Sequence, residues 1–147
     1  MSYKKLCMML IISFLVMYSV MFLNVDDTDH IYLSITRSYM AILMVAPMAV
    51  MMILMMGKMY PNKKLNLSIV AVAIVAFIAS FAGLRTQTPV GDIQYMKAMI
   101  PHHSSAIMTS RHADITDPEV KRLSLGIIES QEREIAEMKQ IIARMKN

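Results

Sequence analysis

One cysteine in 147 residues excludes a disulfide framework and any cysteine-built zinc module. Four glycines and five prolines exclude a collagen-like or low-complexity chain. There is no Glu-x-x-His pair of the kind a di-iron carboxylate bundle uses. No nucleophile–base arrangement, phosphate-binding loop or oxidase ligand set is present either, and these absences point away from an enzyme. What the chain has in excess is apolar residues, 56% of the total against roughly 45–50% in soluble domains. Mean hydropathy is +0.46, which speaks against a disordered tail and against a wholly soluble globule. Methionine, with 18 residues, is the compositional oddity.

The net charge of +4 resembles a nucleic-acid signal until it is split along the chain. Residues 1–85 carry seven basic and three acidic side chains, whereas residues 86–147 carry eight of each. The excess therefore flanks the apolar half, the pattern of membrane topology and not of a nucleic-acid patch. Uncharged runs over about residues 6–23, 38–56 and 65–84 are each long enough for a membrane helix. The first run, preceded by Lys4 and Lys5, competes with a signal peptide. It exceeds the usual apolar core of one and lacks a small-x-small cleavage site, which favours an uncleaved span. In the third run, Ala76 with Ser80 and Ala79 with Gly83 are small pairs at helix spacing, suited to close helix approach or simply part of an Ala-rich span.

Lys4 and Lys5 precede the first span, and Lys58, Lys63 and Lys64 lie in the second loop. The first loop, residues 24–30, has three Asp and no Lys or Arg. The positive-inside rule then places the N-terminus and second loop in the cytoplasm, and the first loop and residues 86–147 outside. A bacterial-type cytoplasmic membrane with a periplasmic C-terminal domain is the expected location, and the lipid bilayer the first expected partner.

Residues 92–112 and 117–146 read as two helices joined by a short connection, which predicts an antiparallel hairpin. Asp117 suits an N-cap, Pro118 the first helical position and Glu119 the positive end of the helix dipole. On the first of these helices, Asp92, Met96, Met99 and His103 fall on a narrow arc, with His102 to one side and Pro101 a source of a kink. An antiparallel turn near residue 115 pairs Met99 with Gln131, Met96 with Glu134 and Asp92 with Met138. Gln131 and Glu134 interrupt an apolar stripe that includes Ile127, Ile128, Ile135, Met138 and Ile142. Thioether and imidazole donors suit Cu(I), and by the same softness Ag(I). Thioethers also remain ligands in an oxidising compartment. The competing reading makes Met96 and Met99 core fillers and the histidines ordinary polar residues. Met108 and His112, four apart on the opposite face, form a possible second metal site or are incidental surface residues. His30, beside Asp27 and Asp29, suits a cation or a solvated loop.

The pattern Asp92…Met96-x-x-Met99-Ile-Pro-His102-His103, then Asp117-Pro-Glu-Val120, then Gln131-x-x-Glu134-Ile-x-x-Met138 resembles the ferritin-like family of periplasmic copper-binding proteins of the CopM type, over about residues 90–147. The resemblance implies a helical-bundle domain outside the cytoplasm that binds copper or silver in metal tolerance. It implies Met96, Met99, His102, His103 and Met138 as metal ligands, with Glu134 and Asp92 as supporting acids. The chain has a single such hairpin, so the bundle would be completed by oligomerisation.

The second span carries Met40, Met44, Met48, Met51, Met52, Met55, Met56 and Met59 within about 160° of one another at helical spacing. This is either a ladder of soft ligands or flexible apolar packing. The fold class expected is therefore all-α: three transmembrane helices over residues 1–85 and an extracytoplasmic metal-binding hairpin over residues 86–147. The expected function is non-enzymatic copper or silver buffering or hand-over. A metal-transport component using the second span, or a structural or regulatory subunit without metal, are the alternatives. A homodimer or higher homo-oligomer is expected, with no nucleic-acid partner. The wide apolar stripe of the last helix, Ile142 included, is the expected contact surface.

Overall fold

The computed structural model describes residues 3–146. Every regular element among them is helical. The α-helices are α1 (Tyr3–Val20), α2 (Ile35–Met55), α3 (Lys63–Thr86), α4 (Asp92–His112) and α5 (Pro118–Lys146). Short 3-10 turns at Thr28–His30 and Gly57–Met59 interrupt the first two connections. The helices α1, α2 and α3 are long and apolar enough to cross a membrane. The first ends three residues before the expected limit of residue 23, and Leu23 is 81% exposed. The apolar run continues past Val20, but the chain there turns into a polar segment with structure of its own.

The chain divides into two compact units. The first comprises Met1–Met21 and Thr36–Pro89. In it Leu6, Ile53 and Tyr60 form one buried cluster, and Ala46, Ala49 and Ala73 another. Small side chains let α2 and α3 approach closely, as apolar packing without a strong hydrophobic drive requires. The same closeness appears at Gly83, where an added Cβ would lie 2.8 Å from Cζ of Tyr39. Tyr39 is held there by a hydrogen bond from its hydroxyl to the Thr88 carbonyl. At the other end, the Tyr3 hydroxyl donates to Asn66 Oδ1 at 2.8 Å and the Asn66 amide donates to the Tyr60 carbonyl at 2.8 Å. Both prolines inside helices, Pro47 and Pro101, sit in helices that continue through them.

The second unit comprises Phe22–Ile35 and Val90–Asn147. Its core is Met96, Ile100, Ile107, Ile135 and Ile142, with Tyr32, Ile128, Met138 and Ile141 packed against it. Helices α4 and α5 run antiparallel: Ser124 on α5 donates to the Ser110 carbonyl on α4, while farther from the turn Glu134 meets His103. Asp117 caps α5 as expected, its Oδ1 accepting from the backbone N–H of Glu119 at 2.9 Å and Val120 at 3.0 Å. The segment Phe22–Ile35, which contains the expected loop of residues 24–30 and the last two residues of the expected first span, is part of this unit, and its Thr28–His30 turn lies against α4.

Candidate functional site

The side chains that carry possible chemistry sit where α4 and α5 face each other. Met96, Ile100, His103 and Ile107 recur at spacings of four, three and four, with Ser104 beside them, so one face of α4 is buried. Among them His103 is a buried titratable group, 8% exposed. Both of its ring nitrogens are engaged. Nδ1 is 2.9 Å from the Met99 carbonyl oxygen, and a carbonyl accepts only, so Nδ1 carries the proton of that bond. Nε2 is 2.8 Å from Glu134 Oε2. The other carboxylate oxygen of Glu134 accepts from the Ser130 hydroxyl at 2.8 Å. That hydroxyl bond, followed by the His103 bond, holds the Glu134 carboxyl below the usual carboxylate range. Nε2 therefore faces the Glu134 carboxylate across the hairpin interface.

This partner differs from the simple register, which sets Glu134 opposite Met96. The hairpin is shifted from that register: Ser124 meets Ser110 and Glu134 meets His103, each α5 partner lying farther from the turn than a symmetric connection sets it.

The other expected site residues are distributed as follows. Met96 is buried in the core, Met138 packs against that core, and Met99 is half-buried. His102 is exposed, its ring centroid 6.1 Å from that of His103. Asp92 is exposed in the first turn of α4, where its charge complements the helix dipole. Met108 is half-buried and His112 exposed; the His112 ring bonds the Met108 carbonyl at 2.9 Å, a contact within one helix turn. Among the described residues no three His, Cys, Asp or Glu side chains converge. Any metal at His103 would therefore rely on thioethers for part of its shell.

The strap formed by Phe22–Ile35 was not legible as part of this region. Ser104, fully buried beside His103, accepts from the Asp26 backbone N–H at 2.8 Å and lies 2.9 Å from His30 Nδ1. Asn24 donates to Ser105 Oγ at 2.7 Å, and Gln94 Oε1 accepts from the Ile35 N–H at 3.2 Å. Arg111 bridges Asp26 and Glu132, and Lys139 pairs with Asp29 at 2.6 Å. The Lys139 hydrogen bond and charge pull the Asp29 carboxyl down. Burial, then the Lys139 charge, pushes the His30 imidazole down, against the pull of Asp27, Asp29 and Asp26. The one sequence signal of this docking is charge: three Asp in the strap against Arg111 and Lys139 on the hairpin.

A family model described as a domain of unknown function, DUF305, matches residues 70–142, from within α3 almost to the end of α5. An uncharacterized protein of Acanthamoeba polyphaga mimivirus is 36% identical over 149 residues, covering 99% of this chain and 96% of the relative. No solved structure matches the chain significantly. Residues 70–142 thus match DUF305, a domain within the ferritin-like fold superfamily, and the chain belongs to one family with the mimivirus relative.

Proposed function

We propose that this chain is a membrane-anchored, non-enzymatic binding protein for Cu(I) or Ag(I), of the CopM type, that buffers or hands over soft metal ions on the extracytoplasmic side of a cytoplasmic membrane. The observation that carries the reading is His103. Its Nδ1–H is fixed by the Met99 carbonyl, the orientation that aims the other ring nitrogen at a metal in histidine sites. Nε2 faces outward from the core toward a carboxylate. A soft cation held at Nε2 would find Met99 one helical turn away and Glu134 as a neutralising anion. Met96, Met138, His102 and Asp92 supply the remaining candidates on the same hairpin, and Met108 with His112 a secondary pair. Tolerance of copper or silver is the physiological role this chemistry suits.

The full chain in detergent, titrated with Cu(I), Ag(I) and Zn(II) in competition, tests the assignment. The double variant Met99→Leu, His103→Ala is expected to lose most Cu(I) and Ag(I) affinity, on the order of tenfold or more if one strong donor is lost. Helicity should stay near normal. An unchanged Cu(I) titration in that variant overturns the assignment.

The proposed topology has the N-terminus inside and residues 86–147 outside. Lysine placement supports it. So does the grouping of Phe22–Ile35 with Val90–Asn147, because segments of one folded unit share a side of the membrane. A reporter fused after residue 147 should be active in its extracytoplasmic form; activity of a cytoplasmic reporter there overturns the three-span topology. The transport alternative draws on the outward methionines of α2, Met40, Met44, Met51 and Met55, all exposed. Metal-stimulated flux into vesicles holding the purified chain would favour it over buffering.

A further inference from the structure

We propose that α5 is the docking face for a second copy of this chain, paired antiparallel with its counterpart about a two-fold axis at Gly126. The proposal is independent of metal binding. Within the apolar stripe expected to supply a dimer contact, Ile135 and Ile142 are 3% and 4% exposed, buried inside their own hairpin. A different face of α5 is open. Glu119, Leu123, Gly126, Ser130 and Arg133 recur at spacings of four, three, four and three, the rhythm of a helix–helix seam. Leu123 is 63% exposed on a helix outside the apolar spans. Beside it, a shallow groove of about 610 Å³ runs from Glu119 to Gln131 along α5. A Cβ at Gly126 would meet nothing within 4 Å, so the groove is open where a partner helix would come closest.

Charge identifies the occupant. With the axis at Gly126, antiparallel pairing sets Leu123 of each copy beside Ser130 of the other, a large side chain against a small one. It sets Glu119 opposite Arg133 and, on one flank, Arg122 opposite Glu129. Each pairing occurs twice by symmetry, all four pairs are of opposite sign, and all four residues are exposed in the single chain. Isologous pairing demands such self-complementarity, and an unrelated partner would not impose it.

Disulfide trapping in membranes of cells expressing the full chain tests the pairing. Gly126→Cys is made in a Cys7→Ser background, since Cys7 is free and exposed. The open space at Gly126 accepts the new side chain without a clash. Mild oxidation should trap a Gly126→Cys dimer, whereas Leu125→Cys, also exposed but turned about 100° round α5 from Gly126 and off the seam, should remain monomeric. Arg133→Glu should weaken association of the reduced protein in nanodiscs about two- to fivefold per pair removed. Adding Glu119→Arg should restore it. Trapping at Leu125→Cys as strong as at Gly126→Cys overturns the seam, as does a covalent adduct with a different protein in place of a dimer. Failure of the second charge reversal to rescue the first, in a protein with normal helicity, overturns the antiparallel register.

Discussion

On α2, in the unit built from α1, α2 and α3, alanines lie inside and a row of methionines outside: Ala41, Ala46 and Ala49 are buried and Met40, Met44, Met51 and Met55 exposed, while Met52 and Met56 pack against the Leu6 cluster. In the unit built from the strap, α4 and α5, the arrangement reverses: Met96 is buried among isoleucines, and the exposed face is charged. The solvents explain the difference. Against lipid, a methionine outside costs nothing, and the helices gain by bringing small residues together. In water, exposed apolar area is unfavourable, so the hairpin encloses Met96, Ile100, Ile107, Ile135 and Ile142, while Leu123 and Leu125 stay exposed on α5. Methionine abundance therefore carries no single meaning in this chain. Its role depends on which unit holds it, and the soft donors close to ionisable partners are those of the hairpin.

The contrast is broken most strongly by truncating the same kind of side chain in each setting. Ile100 is fully buried. Ile100→Ala should cost the second unit about 2–5 kcal/mol, read as lost amide protection of α4 and α5 in hydrogen exchange. Met44→Ala, on the outer face of α2, should change stability by less than about 0.5 kcal/mol. Comparable losses from both would show that the α2 methionines pack against protein, as a transport pathway or oligomer would need.

Two substitutions of intermediate size probe how each unit makes its closest contact. Gly83→Ala puts a methyl group into the Tyr39 ring, which its own bond to Thr88 keeps in place. The expected cost is about 1–3 kcal/mol, and Tyr39→Leu should relieve it; thermal melts of the first unit's helicity in detergent provide the check. Ser104→Ala leaves the Asp26 N–H and the His30 ring without their shared partner. It should cost about 1–3 kcal/mol, visible as faster exchange over residues 24–31 with α5 unchanged. If exchange rises equally in α5, the strap is not a separable element but part of the hairpin's cooperative core.

How far the sequence disclosed these features follows from the range of the interactions behind them. Three apolar runs, the Asp117 cap and the α4–α5 hairpin were legible because each depends on neighbours within a few residues or on simple periodicity. A short connection restricts how two helices can pair, but the sequence set Glu134 opposite Met96, whereas the structure pairs it with His103, because the hairpin register is shifted from that of a symmetric turn. The strap was not legible at all. Asn24 and Ser105 are 81 positions apart, and Lys139 and Asp29 are 110 apart. Contacts of that separation leave no periodic trace, and three Asp before a span look the same solvated or docked. The apolar stripe of α5 signalled burial correctly but not its partner, because a residue's hydrophobicity is silent on whether α4 or a second chain covers it.

The smallest expected effect separates the strap from the hairpin by pH. His30 is held below the usual histidine value, chiefly by burial and then by the Lys139 charge, although Asp26, Asp27 and Asp29 favour its protonation. An undocked strap therefore takes up a proton before a docked one does. Docking is at full strength above the free histidine value of about 6.5 and weakens as pH falls below it. Glu134 has the same sign in a lower window: its carboxyl is pulled down by Ser130 and His103, so its contribution persists through neutral pH and is lost as pH falls through and below the carboxylate range. Lowering pH from about 7.5 to about 5.5 crosses the histidine window and stops short of the carboxylate one. Exchange over residues 24–31 should then rise modestly, with α4–α5 protection around Glu134 unchanged. His30→Asn should flatten the strap's response, since the substituted side chain does not titrate. Strap exchange that stays constant across this range in the parent chain, or a His30 ring resonance titrating above the free value, would show that the ring is not held in its neutral form against α4.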